Sequence, residues 1–493
     1  MGRGYFSGAV ASDGREVFFF APAEEAPASN LTSARSRSVS EATWSAVGIP
    51  LLRSAALVST TAVAAALVLG DVLGHAAALR GWFMLGEGPV VSRAVERLAA
   101  AAASGRVGRG ESTSGAAAVQ VAKEAWAVAV EEWGLARAPG ARRDGGGGGA
   151  QREAFAAAEL RARAAVGTPA AVAHFHRFSY ASVAAPRVRP KSALSALLSR
   201  LSPTYSFAGA PFARAVLSPL ALSRLAAAHG FLLRLRGAST RLRDVLSTLT
   251  CAARRRRPRA VRGWAASSAE DAAFAGARAL PAVLFIFRHE AAHVIGALDA
   301  YATGAVVGGA WDDFVVSIKD AVSGGGGIDG LKSAFDAFSA AVLSRCFLPP
   351  ISRAPEEEGG GRRGSGSDED AHNVFLGAGE DRDVAKRGFA GGSLAFSGSG
   401  GAAAARLLAD LFEYVFLFCD LVDTSIEKAE VGGNDPDVPI FNTEVLASAA
   451  RLAADFRGGV RTLRSGLTAV VTSGGGSTQA QHVEALLARL GPC

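Results

Sequence analysis

Methionine is nearly missing from this 493-residue chain, with only Met1 and Met84 present. A fold that needs a methionine downstream of residue 84 is therefore excluded. Cysteine is sparse too: Cys251, Cys346, Cys419 and Cys493 lie far apart with no C-x-x-C pair, so neither a zinc ribbon nor a disulfide framework is written here. The first twenty residues lack a charged-then-apolar order, and an intracellular, reduced chain is the expectation. There is no G-x-x-x-x-G-K-[ST] loop and no G-x-S-x-G elbow, and Gly86-x-Gly88 lacks the third glycine and preceding strand of a dinucleotide loop. Convincing β alternation is almost absent, and Tyr205 to Phe207 reads as extended at most.

What is abundant is alanine, glycine and arginine. The chain is 49% hydrophobic and 20% charged, with 58 glycines and no Gly-X-Y period, which excludes wholesale disorder and collagen alike. The net charge of +7 comes from basic residues that are nearly all Arg, as a coding bias rich in Ala, Gly and Arg would also produce. Global charge is thus no argument for nucleic acid, and the Arg254 to Arg262 run, without aromatic interleaving, reads as a solvated loop. Ser54 to Gly70 is uncharged over 17 residues. Diluted by Ala, Ser and Thr and short of the roughly 20 residues a span needs, it is expected to be a buried helix rather than a stable membrane span.

The periodicities predict an all-α fold of long-helix bundles. Val90, Ala94, Val95 and Leu98 follow Pro89 at helical spacing, and Ala116 to Ala136 carries Trp126 and Trp133 on one face. Ser218-Pro219 is a cap and first-turn proline for a stripe of Leu222, Leu225, Ala228, Leu232, Leu235, Leu242 and Val245. Pro281 opens the line Leu284, Phe287, Ala291, Val294, Leu298 and Tyr301. Asp329 is a candidate cap for Leu331, Phe335, Phe338 and Val342. Leu407 to Cys419 is apolar over most of its girth, Leu446 to Leu467 steps by threes and fours, and Gln481 to Leu490 is amphipathic. The expected organisation is a disordered tail at 1–43, a helical region at 44–350 with a flexible insertion at about 137–200, a disordered insertion at 351–401, and closing helices at 402–493.

One motif carries possible chemistry. His289-Glu290-x-x-His293 is the pattern of two zinc ligands one turn apart with a glutamate to activate water, and Gly296 and Asp299 extend it toward a third ligand. Against a zinc protease stand the missing downstream methionine, the missing sheet, and an apolar stripe running straight through Gly296 to Tyr301. With that stripe toward the core, His289 and His293 fall on the opposite face, with Arg288 at its margin, as surface or contact residues. Cys346 reads as packed rather than catalytic.

The order of segments resembles the carboxy-terminal gamma-tubulin-binding domain of the gamma-tubulin complex components. The resemblance is carried by Leu79-Arg80-Gly-Trp82-Phe83-Met84-Leu85-Gly86-Glu-Gly88, by Tyr205 to Pro211 with Val216-Leu217-Ser218-Pro219 and Phe231 to Arg236, and above all by Phe287-Arg288-His289-Glu290-Ala-Ala-His293 through Arg345-Cys346-Phe347-Leu348. Phe412 to Leu421 and His482 to Leu490 are similar to its last helices. The last residues, Arg489-Leu490-Gly491-Pro492-Cys493, depart from the family's pattern, and the resemblance within these 493 residues does not extend to the family's amino-terminal half. The resemblance implies a non-enzymatic, cofactor-free scaffold of the cytoplasmic cytoskeleton. Its implied partners are gamma-tubulin, other complex components and the microtubule minus end, at a microtubule-organising centre or spindle pole, with no nucleic acid and no bound metal. Arg288, His289 and His293 are the candidate contact residues. The alternatives are a zinc metalloprotease using His289, His293 and Asp299, and a helical membrane-associated adaptor.

Overall fold

The computed structural model describes residues 6–10, 16–20, 47–68, 71–86, 88–104, 115–137, 175–183, 190–256, 282–323, 327–351, 400–431, 440–473 and 478–491. The body is helical, as the periodicities require, and long-helix packing buries most of the expected stripes, with Leu222, Leu407 and Leu446 half-buried and the side chain of Trp133 outside the described residues. In chain order the helices are α1 Ile49–Val68, α2 Val72–Trp82, α3 Gly88–Ala103, α4 Gly115–Arg137, α5 Ala193–Leu198, α6 Pro211–Val216, α7 Pro219–Arg256 and α8 Ala282–Tyr301. A π-helical segment, Ala302–Gly309, leads into α9 Ala310–Ser323, and α10 Gly327–Arg345, α11 Gly400–Val431, α12 Thr443–Ser473 and α13 Thr478–Leu490 follow. The expected insertion at 351–401 and the run beyond Arg256 fall almost wholly outside the described residues, as do the glycines near 145.

Two small hairpins qualify the all-α expectation. Within the expected tail, β1 Phe6–Val10 pairs antiparallel with β2 Glu16–Phe20, whose Val-Phe-Phe-Phe run is strand-forming. Inside the insertion expected to be flexible, β3 Phe178–Ser182 pairs antiparallel with β4 Leu201–Tyr205, and α5 lies between them. The reason is aromatic: Phe178 and Tyr180 alternate inward on β3 and meet Trp126, at 5.7 and 6.4 Å between ring centroids, while Leu194, Leu197 and Leu198 are buried beneath.

Helix ends follow their caps. Asp71, left-handed at φ 44°, accepts from the Gly74 amide at 3.2 Å, and a Cβ at Gly74 would stand 2.4 Å from that carboxylate, so only glycine fits. Ser218 accepts from the Ala221 amide at 3.1 Å and donates to Asp336 at 2.5 Å, tying the start of α7 to α10. Asn442 accepts from Val445 at 2.8 Å and opens α12. Asp329 sits inside the first turn of α10 instead of capping it, because Gly327 at φ 63° already starts the helix. There its charge still suits the helix N-terminus.

Helix α7 is the central post, and its arginines reach its neighbours. Arg224 donates to the Ile351 carbonyl at 3.1 Å, Arg236 pairs with Asp299 on α8 at 2.8 Å, and Arg241 pairs with Asp423 and Asp420 on α11 at 2.7 and 3.2 Å. His229, fully buried on the same helix, stands between the Phe83 carbonyl, 2.9 Å from Nδ1, and the Tyr180 hydroxyl, 3.0 Å from Nε2. A carbonyl can only accept, so Nδ1 carries the proton and Nε2 accepts from Tyr180. Burial holds this ring neutral, pushing its pKa down to about 4 against the opposing pull of the backbone hydrogen bonds.

Helix α1, uncharged beyond Arg53, corrects the expectation of burial. Its carboxy-terminal half rests on the bundle through Val63 and Ala66, but Leu51, Leu52, Leu57 and Val58 are 58–66% exposed. Ile49–Leu67 meets the length and composition of a span with 13% of it buried, and Ala282–Val322 meets the same test with 56% buried. Ser54 and Thr61 return their hydroxyls to helix carbonyls of Leu51, Leu57 and Val58 at 2.9–3.0 Å.

Candidate functional site

Helix α8 buries Leu284, Phe287, Ala291, Val294, Ile295, Leu298 and Tyr301. Phe287 meets Phe418 of α11 at 4.6 Å and Phe456 of α12 at 5.6 Å between centroids, which fixes the rotation of the helix about its axis. That rotation leaves Ala282, Ile286, His289, His293, Gly296 and Ala300 exposed, at alternating spacings of four and three. His289 and His293 therefore emerge together, one turn apart, on the face opposite the core, as the periodicity predicts.

Arg288 does not share that face. It is half-buried and turned toward α7, where its Nε donates to the Leu242 carbonyl at 3.1 Å, and burial lowers its pKa. One residue along a helix is a rotation of about 100°, so the residue before an exposed histidine points along the bundle surface. Arg288 is a helix-to-helix tie, and of the three candidate contact residues only His289 and His293 lie on the outward face.

The acidic residues of the protease-like pattern are committed elsewhere. Glu290 receives Arg457 of α12 through two bonds, 2.8 Å from Nε and 3.1 Å from Nη2. Asp299 is held by Arg236 at 2.8 Å, and burial raises its pKa while that guanidinium opposes the rise. Among the described residues no group of three His, Cys, Asp or Glu side chains could hold a metal. Beyond Gly296 the helix continues to Tyr301 and through the π-helical segment into α9, so the chain does not turn back toward the histidines. Cys346 and Cys419 are buried and their thiols are pushed up by desolvation, away from nucleophilic use.

The π-helical segment is pinned from α10. Arg345 donates Nη1 to the Ala305 carbonyl at 2.9 Å and Nη2 to Asp313 at 2.5 Å, while Tyr301 donates its hydroxyl to the Arg345 carbonyl at 2.9 Å. An i→i+5 turn leaves such a carbonyl in need of a donor, and a guanidinium supplies it.

The neighbourhood of the histidines is completed by residues that are distant in sequence. α13 runs antiparallel to α8: His482 lies 3.8 Å from the place a Cβ on Gly309 would take, and His293 Nε2 lies 3.9 Å from the place a Cβ on Gly491 would take. α12 carries Arg457, Arg461 and Arg464 at i, i+4 and i+7, each one position after a core residue, Phe456, Val460 and Leu463. Arg489 precedes Gly491 on α13. No local motif marks these arginines; their offset from the core stripe is the only sequence cue to them.

Residues 208–355, under a third of the chain, match the family described as Gamma tubulin complex component C-terminal. The matched stretch runs from before α6 through α10 and includes the whole exposed stripe of α8. A comparison with curated proteins finds no match.

Proposed function

We propose, from the premise that residues 208–355 belong to the gamma-tubulin complex component C-terminal family, that this chain is a non-enzymatic scaffold that binds gamma-tubulin. In this reading it works alongside other complex components in the cytoplasmic cytoskeleton, at microtubule minus ends and the organising centres or spindle poles that gather them. The family match carries the reading. The geometry agrees with it, because the His289–His293 face lies inside the matched segment on a helix locked to three neighbours.

Such a scaffold acts by position. Microtubule nucleation is slow because the first subunits must surrender translational and rotational freedom before lateral contacts offset the cost. A rigid holder presents bound subunits at high effective concentration and in register. A helical rod tied by Phe287, Arg236 and Arg345 suits that task, since little of the binding energy is lost in ordering the holder itself.

The experiment is capture of purified gamma-tubulin by the full chain, comparing wild type with His289→Ala/His293→Ala. Both side chains are exposed, so helicity and unfolding midpoint should hold while capture weakens. Equal capture by the two proteins would remove the histidine face from the proposal. No capture by wild type would remove the scaffold reading.

A further inference from the structure

We infer that the surface where His289 and His293 emerge reads carboxylates, and that Arg461, Arg464 and Arg489 take an acidic segment of the bound protein. The inference rests on the scaffold reading for the identity of that protein, and on charge and geometry for its chemistry.

Arg457 fixes the layout. Its two bonds to Glu290 join α12 to α8 at the level of the histidines. α12 connects to α13 through residues 474–477, and α13 returns antiparallel along α8 from Gly309 to His293. α12 therefore runs parallel to α8, and one turn beyond the Arg457–Glu290 tie places Arg461 at the level of His293, where α13 also brings Arg489. Three elements thus present exposed side chains at one level of the bundle.

These arginines differ from those that hold the bundle together. Arg93, Arg97, Arg236, Arg241, Arg243 and Arg345 each face a carboxylate. Among the described residues Arg461 and Arg489 have none, and the Nε of Arg464 is buried without a hydrogen-bond partner. Of the nearby acids, Glu290 is engaged by Arg457 through both its carboxylate oxygens. Glu484 lies five residues before Arg489, about 140° around α13.

A guanidinium with no internal partner presents a planar fork that matches a carboxylate through two parallel bonds. Two histidines one turn apart add ring nitrogens without adding a competing acid. The described exposed residues here include no Phe, Tyr or Trp on which a base could stack, so an acidic polypeptide fits better than a nucleic acid. Attraction between such a patch and an acidic segment acts largely on the rate of encounter and weakens as salt screens it.

The test uses the full chain as wild type, as Arg461→Glu/Arg489→Glu, and as Arg461→Lys/Arg489→Lys. The probes are a short oligo-glutamate peptide, a single-stranded RNA of similar charge, and purified gamma-tubulin. Both positions are exposed, and circular dichroism with an unfolding midpoint checks that each variant is folded. The expected result is peptide binding by wild type that falls about tenfold on charge reversal, falls again from about 50 to about 300 mM salt, and survives in part with lysine. Gamma-tubulin capture should fall in parallel. If wild type and charge-reversed chain bind peptide and gamma-tubulin alike, the inference is overturned while the scaffold reading stands. If peptide binding behaves as expected but wild type does not capture gamma-tubulin, the scaffold reading fails while the carboxylate site stands. Preference for RNA over the peptide overturns the inference as well.

Discussion

Acid should weaken this fold through one residue, His229. The ring is buried with Nδ1–H donating to the Phe83 carbonyl and Nε2 accepting from Tyr180, a pair of bonds open only to the neutral form. Its folded pKa of about 4 lies below the unfolded value of 6.5, so between those values the unfolded chain binds the extra proton. The stability this neutral ring contributes is present above about pH 6.5 and drains away as pH falls toward about 4. Integrated from about pH 7 to about pH 5, the loss is about 2 kcal/mol from this group. Urea unfolding at the two pH values measures it, with His229→Gln as the control, because an amide can keep a donor and an acceptor but does not titrate. The variant should start less stable and lose about 2 kcal/mol less on acidification than wild type. An equal acid loss in the two proteins would refute the argument and assign the pH dependence to other groups.

Three further perturbations separate core, tie and surface. Phe287→Ala removes a fully buried ring between α8, α11 and α12 and should cost about 3–5 kcal/mol in urea unfolding; a loss under about 1 kcal/mol would mean the three helices do not pack there. Arg345→Ala leaves the Ala305 carbonyl without its donor and should cost about 2 kcal/mol, with faster amide exchange over 302–309 than in α8 as its local signature. Leu57→Gln lies on the exposed half of α1 and should shift stability by no more than about 0.5 kcal/mol, whereas a large loss would show that this half is covered.

The parts of the fold that were legible in the sequence are those set by neighbours along the chain. Ser218-Pro219 announces the start of α7, and the stripe from Leu284 to Tyr301 is buried throughout. A stripe gives rotation, so the outward face of His289 and His293 was legible too. What could not be read locally depended on partners far away in sequence. β3 forms because Trp126 and Tyr180 meet across the insertion, and α5 is capped by Glu413 of α11, whose Oε1 accepts from Lys191 at 2.7 Å and Ser192 at 3.0 Å. α1 is composed like a core helix, yet only its later turns find a neighbour, and no periodicity reports whether a partner exists. Arg288 has the charge of a contact residue, but the Leu242 carbonyl claims it. The end of α13 comes to lie beside His293 through its antiparallel return along α8, and α12 is joined to α8 by the Arg457–Glu290 pair, both properties of topology that no local pattern encodes.

The most direct test of the scaffold reading is size-exclusion chromatography of the full chain mixed with purified gamma-tubulin at about micromolar concentration. The account predicts that the two elute together, earlier than either alone, and that the shared peak weakens for His289→Ala/His293→Ala. Separate elution of a folded chain and intact gamma-tubulin would contradict it.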